Sequence, residues 1–127
     1  MTTNEKLATK LWYQVVHILH PTCVFAGSQF ALEDPCDGAI EAHHVWGRSS
    51  RAWKWRACYG VGLCAHHHRL STKASPHGSP LGFWNEWLIL NPKRVQLLRE
   101  SRVACMLEEP TEAISRLQEQ LKQLAQG

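Results

Sequence analysis

GVGLCAHHHRL, residues 60–70, decides how this chain reads, because a short apolar run ends there in a cysteine followed by three histidines. Cys64 and His67 stand at C-x-x-H spacing, which suits a metal knuckle whose second ligand lies in the first turn of a helix. Cys23 and Cys36 upstream bring the set to four, the number that a tetrahedral zinc takes from Cys and His. A structural zinc held by Cys23, Cys36, Cys64 and His67 would replace part of the core that a small Trp- and Gly-rich segment does not build.

Working outward, a second group of imidazoles is left over. EAHHVWGR at 41–48 carries His43 and His44, while His68 directly follows the knuckle and His77 lies beyond it in SPHGSPLGFWNEWL, residues 75–88. Six of the eight histidines fall between His43 and His77. His43, His44, His68 and His77 have no role in a closed structural site. Three imidazoles on a divalent cation leave positions open for water and a phosphate oxygen, as a catalytic centre requires. His43 and His44 would point to opposite faces of an ideal strand, so both reach one site only if the strand ends or bulges there. Glu41, two residues from His43, would share its face and could orient its ring.

The surrounding pattern predicts an α+β domain. Thr2 and Glu5 have capping-box spacing, and a helical period through Leu7, Leu11, Val15 and Ile18 marks a first helix over about 3–19. Strands are expected near 23–26 and 39–46 as an irregular hairpin, a basic-aromatic loop over 47–60, and a strand or turn at 61–64. A short helix should follow to about 71. Ser79-Pro80 opens a helix that should bury Phe83, Trp84, Trp87, Leu88 and Leu90, and Asn91-Pro92 opens another to about 107. Thr111 is expected to cap a last helix. Its Ile114, Leu117, Leu121 and Leu124 recur at a/d spacing, fit either for docking on the domain or for pairing a homodimer through 111–126. The divisions expected within a single domain, 1–127, are an N-terminal helix at 1–20, a metal-binding core at 21–90 and a helical extension at 91–127.

The 127 residues carry a formal charge of +3, consistent with a polyanionic partner but too small to argue for one unaided. Arg48, Arg51, Lys54 and Arg56 are the candidate phosphate contacts. Trp53 and Trp55 read as packing beneath the loop in preference to stacking on bases. Five cysteines at uneven spacing argue against a disulfide framework. Cys58 and Cys105 are assigned to core packing, and His17, His20 and His66 to structural or exposed positions. Without a signal segment or a membrane-length apolar run, a soluble protein of a reducing cytoplasm is expected.

EAHHVWGR, GVGLCAHHHRL and SPHGSPLGFWNEWL together resemble the HNH endonucleases, small bacteriophage members in particular, over about residues 23–90. The resemblance implies a ββα-metal unit with treble-clef-like zinc binding, and a nuclease hydrolysing DNA, with RNA left open. It implies His43, His68 and His77 as ligands of one catalytic cation (Mg²⁺, Mn²⁺, Ni²⁺ or Zn²⁺) and His44 as general base. Thr72 stands where the family's last histidine is commonly found, and His77 takes its place. Tyr59 stands where an asparagine normally fixes the loop and orients the base. Roles beside phage packaging or recombination proteins, in the host cytoplasm, would follow. The rival readings are a non-catalytic zinc module that binds DNA or protein, and a zinc hydrolase acting on another substrate.

Overall fold

The computed structural model describes residues 1–101 and 105–126. Helix α1 spans Thr3–Leu19, and its capping box is made: the Glu5 amide donates to Thr2 Oγ1 at 3.1 Å while the Thr2 amide donates to Glu5 Oε2 at 2.8 Å. Its apolar stripe, Ala8, Leu11, Trp12, Val15 and Val16, is buried. Helix α5, Pro110–Gln126, lies against that stripe, burying Ala113 and Leu117, with Ile114, Leu121 and Leu124 packed alongside. The leucine seam of 111–126 is therefore turned onto α1 of the same chain. Pro110 occupies the first helical position, so Thr111 lies inside the first turn and does not cap the helix.

Strands β1, Ile40–His44, and β2, Gly60–Cys64, form an antiparallel pair in which Ile40 faces Cys64 and His44 faces Gly60. The expected strand at 23–26 is absent. Val24 donates one bond to Gly62 O, but the backbone then turns, with Ala26 N on Cys23 O and Ser28 N on Phe25 O, bringing Cys23 beside Cys64. Helix α2, Gln29–Glu33, follows, capped by Ser28, and was not foreseen. Gly62 permits this packing: a Cβ there would lie 2.6 Å from His20 O and 2.8 Å from Thr22 O, both backbone atoms.

After β2 the expected helix at 65–71 is a single π-helical turn, His66–Leu70, closed by Ser71 N on His66 O at 2.7 Å. Helix α3, Pro80–Leu90, buries Phe83 and Trp87, with Trp84 half-buried. Leu88 and Leu90, expected inside, are 38% and 41% exposed. Helix α4, Pro92–Ser101, has Arg94 N on the Asn91 Oδ1 cap at 3.3 Å. It is shorter than the predicted 92–107: residues 102–104 lie outside the described residues, and 105–107 are not helical.

Two apolar clusters result among the described residues. One joins Phe25, Val61, Leu63, Phe83, Trp87 and Val95, and the other joins α1, α5, Ala42, Trp55 and Ala57. Trp53, partly buried, packs on the first and Trp55 is buried in the second, so both tryptophans pack against the body of the domain. Cys58, expected inside, is exposed. Among the described residues no helix is long and apolar enough to cross a membrane.

Candidate functional site

The knuckle comes together as the spacing predicts. His67 Nδ1 lies 3.3 Å from Cys64 Sγ, 3.5 Å from Cys36 Sγ and 3.7 Å from Cys23 Sγ. A tetrahedral zinc with bonds of about 2.3 Å to sulfur and 2.0 Å to nitrogen needs a sulfur–nitrogen separation of about 3.5 Å, so the four donors already stand at coordination distance. Their electrostatics agree with that reading. Burial pushes the Cys23 and Cys36 thiols up, Cys36 to about 12, where the Cys23 and Cys64 sulfurs push in the same direction. A divalent cation reverses this balance by favouring the thiolates. On the ring's other edge His67 Nε2, fully buried, lies 3.3 Å from Asp34 Oδ2, at ion-pair distance but outside hydrogen-bond geometry. A carboxylate on that side favours Nε2 as the protonated nitrogen and leaves Nδ1 toward the three sulfurs. The cluster can hold a metal such as zinc. Asp34 also accepts from His66 Nε2 at 2.7 Å and from Ser71 Oγ, tying both ends of the π-turn to the segment after α2.

Successive residues of a helical turn project in different directions, so His68 leaves it on another side from His67. His68 Nε2 lies 3.2 Å from His43 Nδ1 and 3.2 Å from His77 Nε2, and the three ligand atoms fall within 4.8 Å of one another. Two nitrogens on one cation at about 2.1 Å stand about 3.0–3.4 Å apart at octahedral to tetrahedral angles. The spacing therefore fits a shared ion. Behind His68, Glu41 Oε1 accepts from Nδ1 at 2.7 Å, and Arg69 clamps the same carboxylate through Nε at 3.0 Å and Nη2 at 3.1 Å. With the proton on Nδ1, His68 Nε2 presents its lone pair to the cluster. Glu41 thus orients His68, not His43 as strand alternation suggests. Burial, with His68 and His77 close by, lowers His43 to about 3, so it is neutral and able to ligate near pH 7.

The strand-face difficulty resolves at the end of β1. Ala42 and His44 face α1, Glu41 and His43 face the π-turn, and the strand stops at His44, where a cavity of about 150 Å³ opens. His43, His44, His68 and His77 all line it, with Tyr13 and Arg48. His44 is stacked on Trp12, with ring centroids 3.7 Å apart and planes 11° from parallel. Its Nε2 lies 3.1 Å from Lys54 O. A carbonyl only accepts, so the proton sits on Nε2 and Nδ1 is the basic nitrogen. Burial first, and the Arg48 charge second, lower His44 to about 4.

Several expected contributors stand elsewhere. The Tyr59 ring turns into the core, its hydroxyl 2.9 Å from both Ser101 Oγ and Cys105 Sγ, and only its backbone carbonyl, accepting from Val45 N, touches the end of β1. It does not orient His44. That work falls to the Trp12 ring and the Lys54 carbonyl. Of the four basic candidates, Arg48 alone lines the cavity. Arg51 is paired with Glu5 and Glu109, Arg56 donates to Ala52 O and Met106 O, and Lys54 lies over the Trp55 ring at 4.6 Å. Trp12, Asp34 and Arg69 were not singled out from the sequence. Trp12 is a core residue of α1, and nothing in the sequence pattern signals that His44 would be its neighbour. Comparison with family models, curated proteins and solved structures returns no match.

Proposed function

We propose that the chain is a metal-dependent endonuclease of the HNH, or ββα-metal, class that hydrolyses DNA phosphodiester bonds. The observation that carries this reading is the convergence of His43, His68 and His77 at ligand distance, with His44 beside them in the same cavity. An antiparallel strand pair running into a helical turn that carries His68, with a separate Cys₃His cluster pinning that turn, supports the class.

In this reading His43, His68 and His77 hold the catalytic ion, and Cys23, Cys36, Cys64 and His67 hold a structural zinc. A divalent cation supplies charge neutralisation at the phosphate and at the departing oxygen. His44, neutral and with Nδ1 free, takes the proton from the attacking water. Burial first and the Arg48 charge second keep the His44 ring neutral, so its Nδ1 lone pair is available to the water. Arg48 contacts a phosphate oxygen beside the scissile bond. An all-imidazole shell accepts Mn²⁺, Ni²⁺ or Zn²⁺ as readily as Mg²⁺.

Cleavage of supercoiled plasmid by zinc-replete protein, with each metal added in turn, tests the proposal. Metal-dependent nicking that falls by about a hundredfold or more in His44→Ala is the expected result. No cutting with any metal, by protein that still carries zinc and binds DNA, would instead favour a non-catalytic zinc module.

A further inference from the structure

The side of α1 turned away from α5 has no assigned role. Lys6, Lys10, Gln14 and His17 recur there at steps of four, four and three, so they share one face of the helix, and all four are exposed. With Met1, Thr9, Tyr13 and Ile18 they line a shallow, largely apolar surface on whose rim the two ammonium groups stand, and among the described residues no acidic side chain lines it. Neither lysine is paired with a carboxylate among the described residues, although Glu5, the residue before Lys6, is engaged by Arg51. Tyr13 belongs to this surface and to the histidine cavity at once, and its ring meets His44 edge-on at 6.0 Å. The basic face is therefore continuous with the site, and Arg48 stands on the cavity's lining beyond Tyr13.

We propose that this face of α1 is a track for the nucleic-acid backbone, leading DNA flanking the scissile phosphate from Lys6 and Lys10 past Tyr13 to the histidine cavity. The inference rests on the nuclease reading for its direction but not for the binding itself. At 1.5 Å per residue the face from Lys6 to His17 is about 16 Å long, enough to accompany several nucleotides of one strand. Exposed ammonium groups at that spacing contact phosphates and carry no base information, so the track gives affinity and register without sequence preference. α1 then acts on both of its sides: the buried side places Trp12 against His44, and the exposed side delivers the polyanion.

The test uses full-length, zinc-replete protein carrying His44→Ala, so that DNA is bound and not consumed, and a short fluorescent DNA duplex titrated at several salt concentrations. Lys6→Glu/Lys10→Glu is compared with Lys93→Glu/Lys122→Glu, which makes the same charge change at exposed positions on α4 and α5. Loss of two phosphate contacts should flatten the log–log salt dependence by about 1.8 and weaken binding about tenfold or more at 0.1 M salt. The α4/α5 pair should move it far less. Lys6→Gln/Lys10→Gln should show the same flattening, and decides the matter if the reversal disturbs folding. Equal weakening by both reversals, or no change in either α1 pair, would overturn the track. Protein that binds with these dependences while the unmodified chain cuts no plasmid would keep the track and sink the nuclease reading. A chain that cuts but is indifferent to the α1 pairs would do the reverse.

Discussion

Glu41→Gln separates an oriented metal site from a chance cluster of histidines. The carboxylate accepts from His68 Nδ1 at 2.7 Å and is itself clamped by Arg69 at 3.0 and 3.1 Å, so it holds the His68 ring in place and its proton on the far side from the cluster. A hydrogen bond to a charged group is worth about 1.5–3 kcal/mol. With the Glu41 side chain 32% exposed, solvent screens part of that, and a glutamine retains a neutral acceptor at the same place. The lower half of the range applies, which at 1.4 kcal/mol per decade is about a tenfold loss of metal affinity at the His43/His68/His77 site. Calorimetric titration of Ni²⁺ or Mn²⁺ into protein already holding one zinc reads this directly. Arg69→Ala should act in the same direction and more weakly, since it leaves the Glu41–His68 bond in place. Identical affinities in Glu41→Gln and the parent would refute the argument. So would a loss of zinc from the Cys/His cluster, which does not touch Glu41.

Cys64→Ser should abolish stoichiometric zinc and, by releasing both β2 and the π-turn, cost much of the roughly 5–15 kcal/mol that holds a domain of this size together; metal analysis and a thermal melt check it. Gly62→Ala should destabilise by about 1–3 kcal/mol in a denaturant titration, because the added Cβ meets the His20 and Thr22 backbone oxygens and neither can rotate away. Glu5 is held down to about 2, first by the Thr2 amide and then by Arg51. Its contribution is therefore complete above pH 4.5 and lost as pH falls toward 2. Glu5→Gln should lower the melting temperature at neutral pH and flatten the acid limb between those values, and parallel acid limbs in the two proteins would contradict the pairing.

The four-donor cluster was legible because metal chemistry restricts residue type more strongly than position: soft thiols and a spaced imidazole read as a set that can hold zinc even with Cys23 and Cys36 far apart. The helices were legible where a cap coincides with an apolar period, as at Thr2/Glu5 and Asn91-Pro92. The strand at 23–26 misled because its apolar residues form a turn that buries Cys23 and Phe25, and burial without pairing looks the same in a sequence as a short strand. Leu88 and Leu90 misled for the converse reason, since an apolar helix does not declare which side will be covered.

The sequence by itself determined the two donor sets, the α+β character and the starts of α1, α3 and α4, all of which depend on residue chemistry and near-neighbour spacing. Only the tertiary structure decided which carboxylate stands behind which imidazole, that Trp12 and the Lys54 carbonyl hold His44, and that Tyr59 turns away into the core. It also decided that Arg48 alone of the loop cations reaches the cavity and that the α5 leucines face α1. These depend on contacts between residues distant along the chain, where the end of a strand and the packing of one helix against another set directions that no local period encodes.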